Sequence, residues 1–191
     1  LDKTDNQNNL QQVVVKYATR SSTEGEGVAF NGSSSLINDN FNIAADVPYT
    51  LVLVFKKETS PSLSWLIDSR EVDIGRNTVY SNSAGYITTH RRLGDQELDY
   101  SFSIYTNNNT STNVKDILTI NFDGSDNSSI SAYSNTQQNG VFTSDSLGTG
   151  EMDGITVGSL YNAASGYGIN GMIYEIIYFD GIITTEETTT I

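Results

Sequence analysis

Cysteine is absent from the 191 residues, which excludes a disulfide framework, a thiolate zinc site and a cysteine nucleophile. No apolar run exceeds the five residues from Leu51 to Phe55, far short of the roughly 20 that a membrane-spanning helix needs. A single histidine, His90, rules out a multi-histidine metal site. Charged side chains make up 17% of the chain, too few for a disordered polyelectrolyte. Cations are scarcest in the second half, where residues 96–191 hold one lysine, Lys115, against 12 Asp and Glu, in a chain of net charge −13. Such a field repels phosphate backbones and anionic lipid, and no basic stripe interleaved with aromatics offsets it. Nucleic acid and membrane are therefore poor partners. The doublets Lys56–Lys57 and Arg91–Arg92 read as solvated strand ends.

What is present points to sheet. Val, Ile, Thr, Tyr, Phe and Trp total 69 residues, against 47 strong helix formers, and 63 residues are Ser, Thr or Asn. Short β-branched or alternating runs recur at spacings near 8–12 residues, the rhythm of a sandwich or barrel. They are 13–19, 27–30, 49–57, 64–69, 78–81, 85–90, 98–106, 115–122, 129–134, 155–160 and 172–179. Tyr49 to Lys57 is apolar on both alternating faces, as a central strand requires. Asp123-Gly124 marks a hairpin turn, and the tract 106–113 a loop tip. Thr184 and Glu187 have the spacing of a capping box for one short terminal helix. Residues 1–12 are polar and aperiodic, an N-terminal linker or arm, and 13–191 read as one domain. The start at Leu1, without a signal segment, suggests a piece excised from something longer. The cysteine-free, Asn/Ser/Thr-rich composition suits an extracellular, cell-surface or virion-surface setting. Four acceptor patterns for N-glycosylation, at Asn31, Asn108, Asn109 and Asn127, are expected by chance in so Asn-rich a chain.

Val28-Ala-Phe-Asn-Gly-Ser-Ser-Ser35 and the strand Tyr49 to Phe55, together with Asn170-Gly-Met-Ile-Tyr-Glu-Ile-Ile-Tyr-Phe-Asp180 and Ile183-Thr-Thr-Glu-Glu187, resemble the concanavalin A-like lectin/glucanase superfamily, especially its laminin G-like branch. The first pair is similar to that family's opening turn and following strand, the second to its closing strand and acidic helix start. Between them, Ile117 to Gly124 with Ser129 to Gly140 resembles the central hairpin, and Ile155 to Gly158 the next strand. The resemblance implies an all-β, antiparallel jelly-roll β-sandwich with variable loops along one rim. Within the closing strand, Glu175 falls by alternation among Ile173, Ile177 and Phe179. A bare buried carboxylate there would cost several kcal/mol, so hydrogen bonds are expected to satisfy it.

Catalysis has one lead. Glu71-Val72-Asp73-Ile74 resembles the strand motif of endoglucanases in this superfamily, whose second Glu completes a row of carboxylates. A retaining mechanism needs two carboxyl groups about 5–5.5 Å apart. Gly75 and Arg76 stand where the acid should be, and an arginine depresses a neighbouring carboxylate's pKa instead of raising it. His90 lacks a Gly-x-Ser-x-Gly elbow and reads as a lone surface histidine, and Gly148-Thr-Gly150 and Gly166-Tyr-Gly168 lack the lysine and helix of a phosphate loop. No catalytic residue is assigned. For calcium, Asp123, Ser125, Asp126 and Asn127, or the acidic loop Asp145 to Asp153, offer oxygen ligands, with ordinary turn chemistry as the simpler explanation.

The loop from Leu160 to Gly168 offers Tyr161, Asn162 and Tyr167, aromatic faces for sugar C–H groups beside an amide for hydroxyls. Ligand contact and simple loop packing both fit it. Trp65, the sole tryptophan, reads as core. The expectation is a non-catalytic surface recognition module, lectin-like, binding a cell-surface or polymeric glycan. The alternatives are a structural or assembly module of a virus particle or surface appendage, contacting other protein subunits, and, third, a glycoside hydrolase.

Overall fold

The computed structural model describes residues 11–13, 19–21, 27–44, 47–58, 63–70, 75–82, 87–93, 101–104, 115–122, 129–134, 137–143, 151–161 and 166–184. Among the described residues fourteen strands run β1 (Gln11–Val13), β2 (Thr19–Ser21), β3 (Gly27–Asn31), β4 (Ser35–Ile43), β5 (Tyr49–Lys57), β6 (Ser64–Ser69) and β7 (Gly75–Ser81). They continue as β8 (Ile87–Leu93), β9 (Ser101–Ile104), β10 (Lys115–Phe122), β11 (Ser129–Ser134), β12 (Gln137–Thr143), β13 (Met152–Val157) and β14 (Asn170–Asp180). Sheet A has the order β1-β4-β13-β6-β7-β8-β9, and sheet B β12-β11-β10-β5-β14-β3-β2, with every strand pair antiparallel. No helix of the described residues is long and apolar enough to cross a membrane.

The core lies between the sheets. In β5 the odd residues Tyr49, Leu51, Leu53 and Phe55 enter it, meeting Leu118, Ile120 and Phe122 of β10 and Leu66, Ile67 and Val79 of sheet A. The even residues of β5 form the outer face of sheet B, where Thr50 is buried under the chain's final described segment. Its hydroxyl lies 2.6 Å from Asn121 Oδ1 and 2.9 Å from the Gly181 carbonyl, while the Ile183 amide donates back to it at 3.1 Å. The small hydroxyl residues so common in this chain line the inside of sheet A, satisfying the backbone as well as each other. Tyr49 donates to Asn77 Oδ1 at 3.0 Å, the Asn77 amide donates to Ser69 Oγ at 2.8 Å, and Thr89 donates to the Thr78 carbonyl at 2.9 Å. A void of about 10 Å³ remains beside Tyr49, Asn77, Phe122 and Met152, room for about one water.

Four expectations change. The run 13–19 is not one strand: Val13 ends β1 in sheet A and Thr19 begins β2 in sheet B. Strands β4 and β12 are additional. Glu175 is exposed, not buried, because Tyr174 is an extra residue in β14: Ile173 pairs with Phe55 and Glu175 with the very next residue, Val54. That bulge turns Ile176 and Tyr178 to the core and Glu175 to water. Lastly, Lys56 and Lys57 are not solvated. Lys56 is buried, and the half-buried Lys57 donates to the buried Ser81 Oγ at 2.6 Å. Glu71 to Ile74, Asp123 to Asn127, the loop 106–113, Asn108, Asn109 and Glu187 lie outside the described residues, as do residues 1–10.

Among the described residues, two displaced titrations act in opposite directions. Burial holds the Lys57 amine below its ordinary 10.5, so the cost of keeping it charged is relieved as pH rises toward that value, and stability climbs. Burial, then the neighbouring Asp180, pushes the Tyr178 phenol above 10.0, so its contribution is complete below pH 10 and is lost as pH rises toward the raised value. Denaturation midpoints taken across roughly pH 8 to 11 should rise and then turn down. Lys57→Met should flatten the rise and Tyr178→Phe the fall.

Candidate functional site

The site is built on the outer face of sheet A, where two rows cross the strands. Val79 packs in the core, so alternation turns its neighbours Thr78 and Tyr80 outward. The register sets Trp65 opposite Tyr80 and Asp68 opposite Thr78, with Leu66 as the extra residue of a bulge in β6. The Asp68 row continues to Thr156 on β13 and, through Thr78, to His90 on β8. Asp68, Thr78 and Thr156 are all buried, Asp68 and Thr156 completely.

Beside the polar row stand three aromatics. Trp65 and Tyr80 stack at 4.9 Å between ring centroids and 17°, and Tyr167 meets Trp65 edge-on at 5.5 Å and 89°. Trp65 is 7% exposed, Tyr80 half-buried and Tyr167 42% exposed. The tryptophan is buried, as expected, but within this outer layer and not in the inter-sheet cluster. The signal that could have found the pair is its register: two aromatics opposite each other on one face of neighbouring strands.

The two described ends of the connection after β13, residues 158–161 and 166–169, are fastened to sheet A at several points. At its neck the Ile169 amide donates to the Gly158 carbonyl at 3.0 Å, and the Gly158 amide to the Leu66 carbonyl at 2.8 Å. Further out, the Trp65 amide donates to the Tyr167 carbonyl at 2.9 Å, and the Tyr161 amide to Asp68 Oδ2 at 3.0 Å. Glycine is required at two places. Gly158 has φ +82, and a Cβ there would lie 2.1 Å from the Phe30 ring. At Gly168 a Cβ would lie 2.7 Å from the Gly32 backbone. Of the three sequence candidates, Tyr161 and Tyr167 are thus both tied to sheet A, Tyr161 through its amide on Asp68 and Tyr167 through its carbonyl and ring on Trp65. Asn162 lies outside the described residues. Asp68, Trp65 and Tyr80 are additions that loop composition did not point to.

Chemically the face offers flat aromatic surface, a fully buried carboxylate that holds a loop in place, and two buried polar atoms with no hydrogen-bond partner, Trp65 Nε1 and Thr156 Oγ1. Among the described residues no group of three or more His, Asp or Glu could hold a metal.

No family model matches the chain, and no curated protein sequence matches it. Solved structures do. The binding domain of botulinum neurotoxin DC, solved in complex with SialylT, superposes with a TM-score of 0.71 at 13% identity, over 96% of this chain and 46% of that one. A native heptameric SAP-like pentraxin from Limulus polyphemus gives 0.66 at 11% identity, covering 86% and 80%. The CBM40 of a Ruminococcus gnavus sialidase, bound to α2,3 sialyllactose, gives 0.64 at 14%, covering 86% and 95%. The chain shares with these structures the fold of an antiparallel jelly-roll β-sandwich.

Proposed function

We propose that the chain is a non-catalytic glycan-recognition module whose binding face is the outer side of sheet A beside Tyr161 and Tyr167. The observation that carries this reading is the Trp65–Tyr80–Tyr167 cluster lying beside the buried Asp68–Thr78–Thr156 row. Sugars present flat C–H faces, which aromatic rings suit, while the buried row anchors Tyr161 beside them through Asp68. The solved structures that share the fold include two in complex with sialylated ligands, which supports a glycan as partner. An extracellular or surface location, and a laminin G-like placement within the fold, go with the same reading. Calcium, if bound, belongs to the acidic stretches flagged in the sequence.

The test is an array of immobilised glycans probed with the intact chain, with and without added calcium. Retention of a defined set of glycans is expected, and Tyr80→Ala should weaken it about tenfold, the equivalent of about 1.4 kcal/mol. The alternative, an assembly module, draws on a different observation: Val54, Ile117, Ile177 and Phe179 are half-exposed together on the outer face of sheet B. No retained glycan, combined with a solution mass of several chains, would favour it.

A further inference from the structure

We infer that the Tyr167 ring is a movable cover over the Trp65 indole, and that a bound glycan displaces it and accepts a hydrogen bond from Trp65 Nε1. This rests on the glycan reading and specifies the ligand's chemistry at that site. The indole is 7% exposed and its N–H has no partner, a state that a native fold tolerates where another group completes the bond. An indole N–H only donates. The ligand must therefore bring an acceptor, a hydroxyl, acetamido or carboxylate oxygen, beside an apolar face that can lie on Trp65. Tyr167 is suited to yield. The residue is 42% exposed and its ring stands perpendicular to Trp65, whereas its backbone is fixed by the bond from the Trp65 amide and by the tight packing of Gly168 on Gly32. Side-chain rotation alone uncovers the indole while the segment stays in place.

Because the chain has one tryptophan, its fluorescence and its single indole N–H resonance report this position directly. In the free protein, Tyr167→Ala should raise acrylamide quenching of Trp65 several-fold while leaving the melting temperature near that of the parent. The parent chain titrated with 3′-sialyllactose, and in a separate arm with lactose, should show the indole proton moving downfield in whichever arm calorimetry finds binding. The two arms separate a carboxylate acceptor from a neutral hydroxyl. Unchanged quenching in Tyr167→Ala, or binding with an unmoved indole resonance, overturns the inference and leaves the glycan reading standing. Absence of binding by either sugar, and by every glycan of the array, overturns both.

Discussion

Replacing Gly158 by alanine should lower the stability of the fold by about 2–5 kcal/mol, one of the largest effects of any single methyl group in this chain. Two costs add. The residue holds φ +82, where an L side chain costs roughly 1–2 kcal/mol. The new Cβ would also sit 2.1 Å from the ring of Phe30, itself 3% exposed and part of the core. A buried ring between two sheets cannot retreat, so the overpacking adds about 1–3 kcal/mol. With about 2–4 °C lost per kcal/mol in a domain of this size, the melting temperature should fall by roughly 5–20 °C. Gly166→Ala is the control. It shares the positive φ, +91, but has nothing within 4 Å, so only the backbone part of about 1–2 kcal/mol should appear. Equal losses in the two variants would mean that the Phe30 contact is not real.

Asp68→Ala should cost about 2–3 kcal/mol and abolish glycan binding together. The carboxylate is fully buried on the outer row of β6 and accepts the Tyr161 amide. Removing it leaves that amide without its acceptor and loosens Tyr161 from sheet A. Asp68→Asn keeps one acceptor oxygen in the same place, so its loss should be smaller, about 1 kcal/mol, with binding retained in part. Chemical denaturation gives the first quantity and retention on a glycan array the second. Binding that survives Asp68→Ala unchanged would separate the segment from the function.

Both variants bear on what could be read before the structure. The strands β5, β6 and β10 are legible because β-branched and apolar residues dominate their runs between turn signals. β4 is hidden by Asn38-Asp39-Asn40, residues that otherwise announce a turn. They do form a local loop, with the Asn40 amide on Asn38 Oδ1 at 2.9 Å and Asp39 paired to Arg70 at 2.9 Å, inside a strand whose partner β13 breaks register at Gly154. β12 is hidden for a related reason: QQNGVFT is half polar and slips one residue against β11. Glu175 shows the limit of alternation, since one bulged residue, Tyr174, exchanges the two faces of β14.

At the candidate site the loop tyrosines are visible in composition, because Tyr161 and Tyr167 flank a short Gly-containing segment. What they rest on is not. Asp68 and Trp65 lie nearly 100 residues earlier in the chain and become neighbours of the loop only through the order β13-β6-β7 of sheet A. A buried aspartate in the middle of SWLIDS carries no local sign that its partner is a backbone amide at position 161.

The most direct measurement is to follow backbone amide resonances while the intact chain is titrated with a glycan that the array retains. The expected result is a contiguous set of shifts over β6, β7 and the described ends of the Gly158–Ile169 segment, with Trp65, Asp68, Tyr80, Tyr161 and Tyr167 among the largest. Shifts gathered instead around Thr50, Asn121 and Ile183 on the opposite sheet would contradict it.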